Sequence, residues 1–443
     1  MKSPNIIMLK LKTIVRCTLF SLFLSSAVLY PLSQAYSEKI YFAGYKGGFY
    51  IRSEEEGGMD MRLGGAVQAD HRYYQEEERA SNGFDIRKAR LVFRGTLTRW
   101  FRFGMEFEFQ GNETDNLVDA YIEGVNGLQA LRFGQFKEPF SLEWLTADKA
   151  QVFAEKSMAA SLCPGRDVGL MLHGRLLSDR IIYAAGLFNG DGDDGSTGGN
   201  EEDNPEITGR IVAAPFKNSA SDVISGFYVG GSASYSKIDT LNIHLKVKSS
   251  GMAAGDLNVY DLSHNTKFGV IQNVDSRVRA GVETAWSYGP VGLAGELIHM
   301  KYSDMKPVGE PASDADFSAW YASLIWNITG EPVLFTHGEL QAVYPQTFFN
   351  PDENMWGAFT LGARVEHFEG DKDWINEASH VSVREADAFS LSLNWVPFPM
   401  CKAVLDYTHT RLSDPIRVRV LDDGHIDYLD KENVVTSRFM IDF

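Results

Sequence analysis

From about residue 46 to its last position the chain alternates apolar and polar side chains with a period of two, and this limits its possible folds more than any other feature. The alternation is clearest over residues 100–110. Phe101, Phe103, Met105, Phe107 and Phe109 fall on one face, and Arg102, Gly104, Glu106, Glu108 and Gln110 on the other. Successive side chains of an extended strand point to opposite faces, so such a segment has one greasy side and one wet side. In a soluble sandwich the greasy side meets a core. In a transmembrane barrel it meets lipid, while the wet side looks into a water-filled lumen.

One strand fits either case, but many strands of about ten residues favour the barrel. Met61, Leu63, Val67 and Ala69 alternate with Arg62, Gln68, Asp70 and Arg72, and Ala89, Leu91, Phe93 and Leu97 with Lys88, Arg90, Arg94 and Thr96. Further strands are expected at 117–125, 130–136, 168–177, 181–189, 206–214, 226–236, 277–288, 291–302, 317–328, 356–368, 388–396, 402–411 and 434–443. Adding 47–52 and 333–343 gives 16 to 18 strands, enough to leave an aqueous lumen. After the N-terminus no stretch approaches the roughly 20 apolar residues of a spanning helix. Of the structures that satisfy their own backbone in lipid, this leaves the closed sheet. The expected fold is therefore all-β, a transmembrane antiparallel β-barrel.

The first 35 residues read as an export signal. Lys2, Lys10, Lys12 and Arg16 precede an apolar run from Cys17 to Leu29, and Ser33, Gln34 and Ala35 supply small residues for cleavage after Ala35. The expected division is a leader over 1–35 and a barrel over 36–443. The leader holds four basic residues and no acid, so its removal takes the formal charge from −17 to −21. That balance excludes nucleic acid as a partner. Cys163 and Cys401 remain in the mature chain, too few for a disulfide scaffold, and are expected to stay unpaired.

The connections add direction. Residues 97–100, 288–290 and 395–399 read as tight turns, with Trp100, Trp286, Tyr288, Trp326 and Trp395 near strand ends as in an interfacial girdle. Residues 190–205 read as a hydrated acidic loop; their carboxylate spacing matches no Ca²⁺ loop. At the C-terminus Val435, Phe439, Ile441 and Phe443 alternate with polar residues. A final aromatic on an alternating strand is the mark by which outer-membrane barrels engage their assembly machinery, so Phe443 is the expected contact.

Residues 137–166 break the period: a Pro-containing stretch, a helix-compatible run from Leu145 to Leu162, then Pro164, Gly165 and Arg166. A connection of this length needs a functional reason. In porins the long third loop folds inward and narrows the lumen, and 137–166 is expected to be such a constriction loop.

At this point the chain resembles the phosphate-selective porin O and P family. The matching pieces run in family order: Gly47 to Ile51, Arg87 to Leu91 (RKARL), Asp119 to Tyr121 (DAY), Gly134 to Glu143 (GQFKEPFSLE), Pro164 to Gly169 (PGRDVG) and Gly186 to Gly190 (GLFNG). They continue with Thr329 to Glu331, Gly362 to Arg364 and Leu393 to Trp395. Lys88 stands where a second Arg is typical, and Ala147 and Asp148 where Ser residues often follow. The resemblance implies a 16-stranded, usually trimeric barrel passing phosphate or other anions, with basic side chains replacing part of an anion's hydration shell. It assigns the anion-lining role to Arg87, Lys88, Arg90, Arg94, Lys137, Lys149 and Arg166, with Asp119 holding a basic partner in place. Strict alternation turns Lys88, Arg90 and Arg94 inward and Arg87 outward, so Arg87 reaches the lumen only through a bulge or a loop.

The other readings are a general-diffusion or cation-tolerant pore, a plugged structural or adhesive barrel, and an outer-membrane barrel enzyme. His173, His299, His337 and His367 lie in or beside strands, but no Gly-x-Ser-x-Gly or His-Glu-x-x-His accompanies them. Nothing in the sequence calls for a cofactor, a metal or a catalytic set. The expected partners are small anions or hydrophilic solutes and outer-membrane lipid.

Overall fold

The computed structural model describes residues 41–45, 48–55, 57–75, 82–110, 117–190, 204–238, 245–251, 258–262, 271–307, 309–420 and 426–443. The leader over 1–35 lies outside the described residues, as do residues 191–203 of the acidic loop.

Sixteen strands form one closed sheet. The first eight are β1 (Asp60–Tyr74), β2 (Gly83–Thr98), β3 (Phe101–Glu108), β4 (Leu117–Asn126), β5 (Gln129–Lys137), β6 (Arg166–Leu176), β7 (Ile181–Phe188) and β8 (Glu206–Ala213). The rest are β9 (Phe227–Lys237), β10 (Ser276–Tyr288), β11 (Val291–Pro307), β12 (Ser313–Asn327), β13 (Ala358–Glu369), β14 (Glu385–Phe398), β15 (Cys401–Val420) and β16 (Ile426–Asp442). Each pairs antiparallel with the next, and β16 pairs with β1, from Val434 opposite Tyr74 to Asp442 opposite Ala66. The sheet has no free edge along this seam, as a bilayer requires. Phe443 extends the closure: its N–H donates to Gly65 O at 2.9 Å, and Gly65 N–H donates back at 2.7 Å.

The period of two now has its cause. Phe101, Met105, Ile122, Val282, Leu324, Leu391, Leu405 and Phe439 point outward and are exposed to what would be lipid. The intervening Glu106, Glu123, Glu296, Arg364, Asp406 and Thr436 point into the barrel and are buried there. Tight turns at 98–101, 126–129, 288–291 and 398–401 lie at one end, where Trp100, Tyr288 and Trp326 are exposed as an aromatic rim. The longer connections lie mostly at the other end, and the connection from β5 to β6 is the third of these.

The strands expected at 47–52 and 333–343 are not staves of the barrel. Phe49–Ser53 forms a hairpin with Tyr41–Tyr45 and pairs only with the first residues of β1, Asp60 to Leu63. The rest of that edge of β1 is taken by β16. Residues 333–343 hold a small hairpin, Phe335–Thr336 against Glu339–Leu340, which enters the barrel from the tight-turn end. Val333 and Phe335 are buried there against Leu142, Val152, Phe153 and Ile325, so their apolar alternation faces an internal core rather than lipid.

The interior is filled unevenly. A second hairpin, Lys246–Lys248 with Asn258–Asp261, packs Val247, Val259 and Tyr260 against Phe140, Met158 and Leu162 of the third loop and against Met300, Phe317 and Tyr321 of the wall. Trp374 and Val383, from the connection between β13 and β14, join the same cluster. The open space of the interior is thereby left on the side of β1–β8.

Candidate functional site

A segment folded inside a barrel must find partners for its backbone polar groups without a sheet of its own. Residues 138–165 find them on the far wall. The N–H groups of Leu142 and Glu143 donate to the Glu296 carboxylate of β11 at 2.9 and 2.6 Å, Met158 N–H to Glu366 of β13 at 2.7 Å, and Ala154 N–H to Asp406 of β15 at 2.7 Å. In return Ser392 and Asn394 donate to Val152 O, Lys402 to Gln151 O, and Arg438 to Ala154 O. These partners all face inward, so the loop crosses the lumen. Arg364 ties it down further, donating to Glu143 at 3.1 Å with its guanidinium 4.4 Å from the Phe153 ring centre.

The helix-compatible run over 145–162 therefore forms no continuous helix. Only Leu142–Leu145 is α-helical, capped by Ser141, and short 3₁₀ turns follow at Asp148–Ala150 and Met158–Leu162. Wall side chains take backbone groups that a continuous helix would pair internally. Ser141 adopts φ 65°, a left-handed conformation costly for a residue with a Cβ, where the chain turns into the lumen.

The strand entering this loop carries its own constraint. Gly134 has φ +134°, and a Cβ there would lie 2.1 Å from Ala120 O, so only glycine lets β5 pass β4 at that point.

All eight residues assigned from sequence face the interior. Register between β1 and β2 shifts at Gln68 and Ala69, which pair with Lys88 and Ile86 and leave Arg87 as the extra residue of a β-bulge. The bulge turns Arg87 inward beside Lys88, and Arg87 Nε lies 3.2 Å from Glu155 of the loop. Lys88 Nζ lies 2.6 Å from Asp148 Oδ2, and Arg90 binds Glu106 and Glu108 at 2.7 Å each. Asp119 holds Arg166 at 2.9 Å. Lys137 donates to Trp144 O at 2.6 Å, and Lys149 reaches Asp442 at 3.0 Å.

The structure separates them into two groups. Arg90, Arg94, Asp119, Lys137, Lys149 and Arg166 line an open cavity of about 920 Å³ between the loop and β1–β8. Arg87 and Lys88 line a smaller void of about 50 Å³ bounded by Glu155, Lys156, Lys402 and Arg438. Around the larger cavity stand ten Lys and Arg side chains against six Asp and Glu.

The placement of these charges matters more than their number. The Arg94 side chain is 57% exposed while its partner Glu106 is 9% exposed, and Arg102 is 53% exposed while Glu123 is 4% exposed. In these two pairs the cation is the exposed member and the carboxylate stands behind it. Burial raises the pKa of Asp148 in the loop, but the charges of Lys88, Lys156 and Arg90 outweigh this and hold it well below the usual carboxylate range.

Sequence reasoning missed Arg62, Arg102, Arg132, Arg175 and Arg210, which line the same cavity. Arg62 lies opposite Arg94 and Arg102 opposite Glu123, which in turn lies opposite Arg132. The signal was the inward parity of each strand, which marks these residues without any motif.

Comparison with known proteins fits this geometry. The family model described as "Phosphate-selective porin O and P" matches residues 61–443. Among solved structures, an anion-selective porin from Comamonas acidovorans superposes with a TM-score of 0.52 at 11% identity, covering 87% of this chain and 100% of that chain. OmpT, an outer membrane protein of Vibrio cholerae, superposes with a TM-score of 0.52 at 9% identity, covering 88% of this chain and 99% of that chain. At these identities the likeness is one of fold. No curated protein matches the sequence.

Proposed function

Since the chain belongs to the phosphate-selective porin O and P family, and is an outer-membrane porin of a bacterium, we propose that its lumen passes small anions by passive diffusion rather than catalysing a reaction. The observation that carries the reading is the layered charge of the open cavity, with exposed Arg94 and Arg102 in front of buried Glu106 and Glu123. In a low-dielectric wall such an arrangement lowers the barrier for an anion and raises it for a cation. Arg90, Arg94, Lys137, Lys149 and Arg166 line the anion path, with Asp119 fixing Arg166, and Arg87 and Lys88 adjoin it from the smaller void. The segment 137–166 is its constriction.

The same reading covers export and assembly. Residues 1–35 are removed as the leader, and Phe443 presents the last strand to the assembly machinery. The barrel works as a homotrimer; one of the superposable structures of Vibrio cholerae OmpT is titled as a trimer form. The experiment is the double variant Arg94→Glu/Arg102→Glu in a planar bilayer under a potassium chloride gradient. It should move the reversal potential toward that of potassium by roughly half of the span between the two ions. An unchanged potential would remove these residues from the anion path.

A further inference from the structure

On the outer face of β11 to β14, charges at the long-loop end neutralise one another. Lys301 lies 2.6 Å from Asp314, His299 3.2 Å from Asp316, His367 2.8 Å from Asp387 and Arg384 2.9 Å from Glu369. The pattern stops at β15 and β16. There Arg411 and Lys431 stand directly opposite each other in register, both exposed, a like-charge pair that costs stability when nothing answers it. Among the described residues no carboxylate forms an ion pair with either. Asp387, which is in register with Arg411 from β14, is taken by His367.

The height of this pair on the barrel is a second observation. Arg411 comes ten residues after Cys401, where β15 leaves the tight-turn end. At about 3.3 Å per residue and a tilt of about 40°, the two cations ride about 25 Å above that end, the height of the apolar band of a transmembrane barrel. Short turns of such barrels face the periplasm and long loops the exterior, so the pair sits at the outer-leaflet boundary. Beneath it the same face is apolar, with Phe389, Leu391, Leu405 and Phe439 exposed. Between the two zones Tyr407 Oη donates to Asn433 Oδ1 at 2.8 Å, and His409 Nδ1 lies 2.8 Å from the same oxygen.

We propose that Arg411 and Lys431 clamp the phosphate of a phosphorylated outer-leaflet lipid, whose acyl chains run down the apolar face below. A phosphate between the two side chains accepts charge-assisted hydrogen bonds from a guanidinium fork on one side and an ammonium on the other. It also removes the repulsion between them, and so ties β15 to β16 beside the seam where β16 meets β1. The apolar face gives the acyl chains a place that a free phosphate would not use. The proposal rests on the outer-membrane location of the barrel and is independent of which ions the lumen passes.

The test is native mass spectrometry of the folded protein in mild detergent after incubation with diphosphoryl lipid A, or with a neutral digalactosyl diacylglycerol as control. Wild type should retain the phosphorylated lipid and release the neutral one. Arg411→Gln/Lys431→Gln should retain about twentyfold less, while Arg411→Lys/Lys431→Arg, which keeps both charges, should bind as wild type does. Millimolar inorganic phosphate should leave the wild-type adduct in place; displacement by it would overturn a lipid site. Should the double variant fail to fold, Arg411→Gln and Lys431→Gln alone should each lose about fivefold. Unchanged retention in whichever of these variants folds would overturn the proposal. So would a double variant that loses its oligomeric state without any lipid present, since that result assigns the face to a second copy of the chain. The reversal potential of the folded variant should match wild type, because the pair faces away from the lumen; a shifted one would place the pair in the ion path and overturn the proposal. The wild-type reversal potential alone tests the anion reading, so the two can fail separately.

Discussion

Glu155 carries one negative charge among three guanidinium groups, with Arg72 at 2.5 Å, Arg438 at 2.9 Å and Arg87 at 3.2 Å. Burial raises its pKa, but Arg87, Arg438 and Arg72 together hold the carboxyl well below the usual range. Removing one member of such a group leaves the others as uncompensated buried charge. Glu155→Gln should therefore destabilise the barrel by about 3 kcal/mol at neutral pH, read as a lower thermal midpoint in detergent. The sign of its pH dependence follows from the direction of the shift. A carboxyl with a depressed folded pKa contributes stability that is fully present above its unfolded value, about 4.3, and lost as pH falls through the folded value. The gap between wild type and variant should stay constant from pH 8 to about 5 and close below about pH 4. A gap that persists undiminished into strong acid would show that the charge of Glu155 is not what anchors the loop. Of these residues the sequence marked only Arg87 for the lumen, and it gave a condition rather than a place: inward only through a bulge or a loop. The bulge opposite Gln68 and Ala69 meets that condition.

Between residue and barrel, the sixteen strands and the inserted loop were legible to different degrees. Each barrel strand was visible because lipid on one side and the interior on the other enforce the same alternation over its whole length. The elements inside the lumen obey no such rule. The hairpins of 246–248 with 258–261 and of 335–336 with 339–340 bury apolar residues against the third loop and the barrel wall, so their patterns resemble short strands or none. The loop's helical appearance from Leu145 to Leu162 misled for a related reason: its backbone is satisfied by Glu296, Glu366 and Asp406, which are remote in sequence. At the seam the constraint is steric. A Cβ on Gly64 would lie 2.4 Å from the main-chain oxygen of Phe443, with backbone rather than a flexible side chain in the way. Gly64→Ala should cost about 1–3 kcal/mol of closure and reduce the fraction of protein showing the faster gel migration of an unheated, folded barrel. A wild-type folded fraction would show that the last residue can move aside freely.

Over the whole molecule, net charge and function point in opposite directions. The chain is acidic by 17 charges, yet the cavity beneath the loop is lined by more cations than anions. An ion within the lumen responds to the nearest charges in a confined space, while distant ones are screened over about 10 Å at ordinary salt. The uneven filling of the interior strengthens this. Apolar packing of the third loop against β11 and β12 closes that side and leaves the water path along the arginine-bearing wall of β1–β8. Composition alone could not show this, because it sums over a surface that permeating ions never meet. The most direct test of the account is the zero-current potential of the purified wild-type protein in a planar bilayer across a tenfold potassium chloride gradient. The account predicts discrete, roughly ohmic conductance steps with a reversal potential of the sign set by chloride. Absence of steps, or a reversal potential of the sign set by potassium, would contradict it.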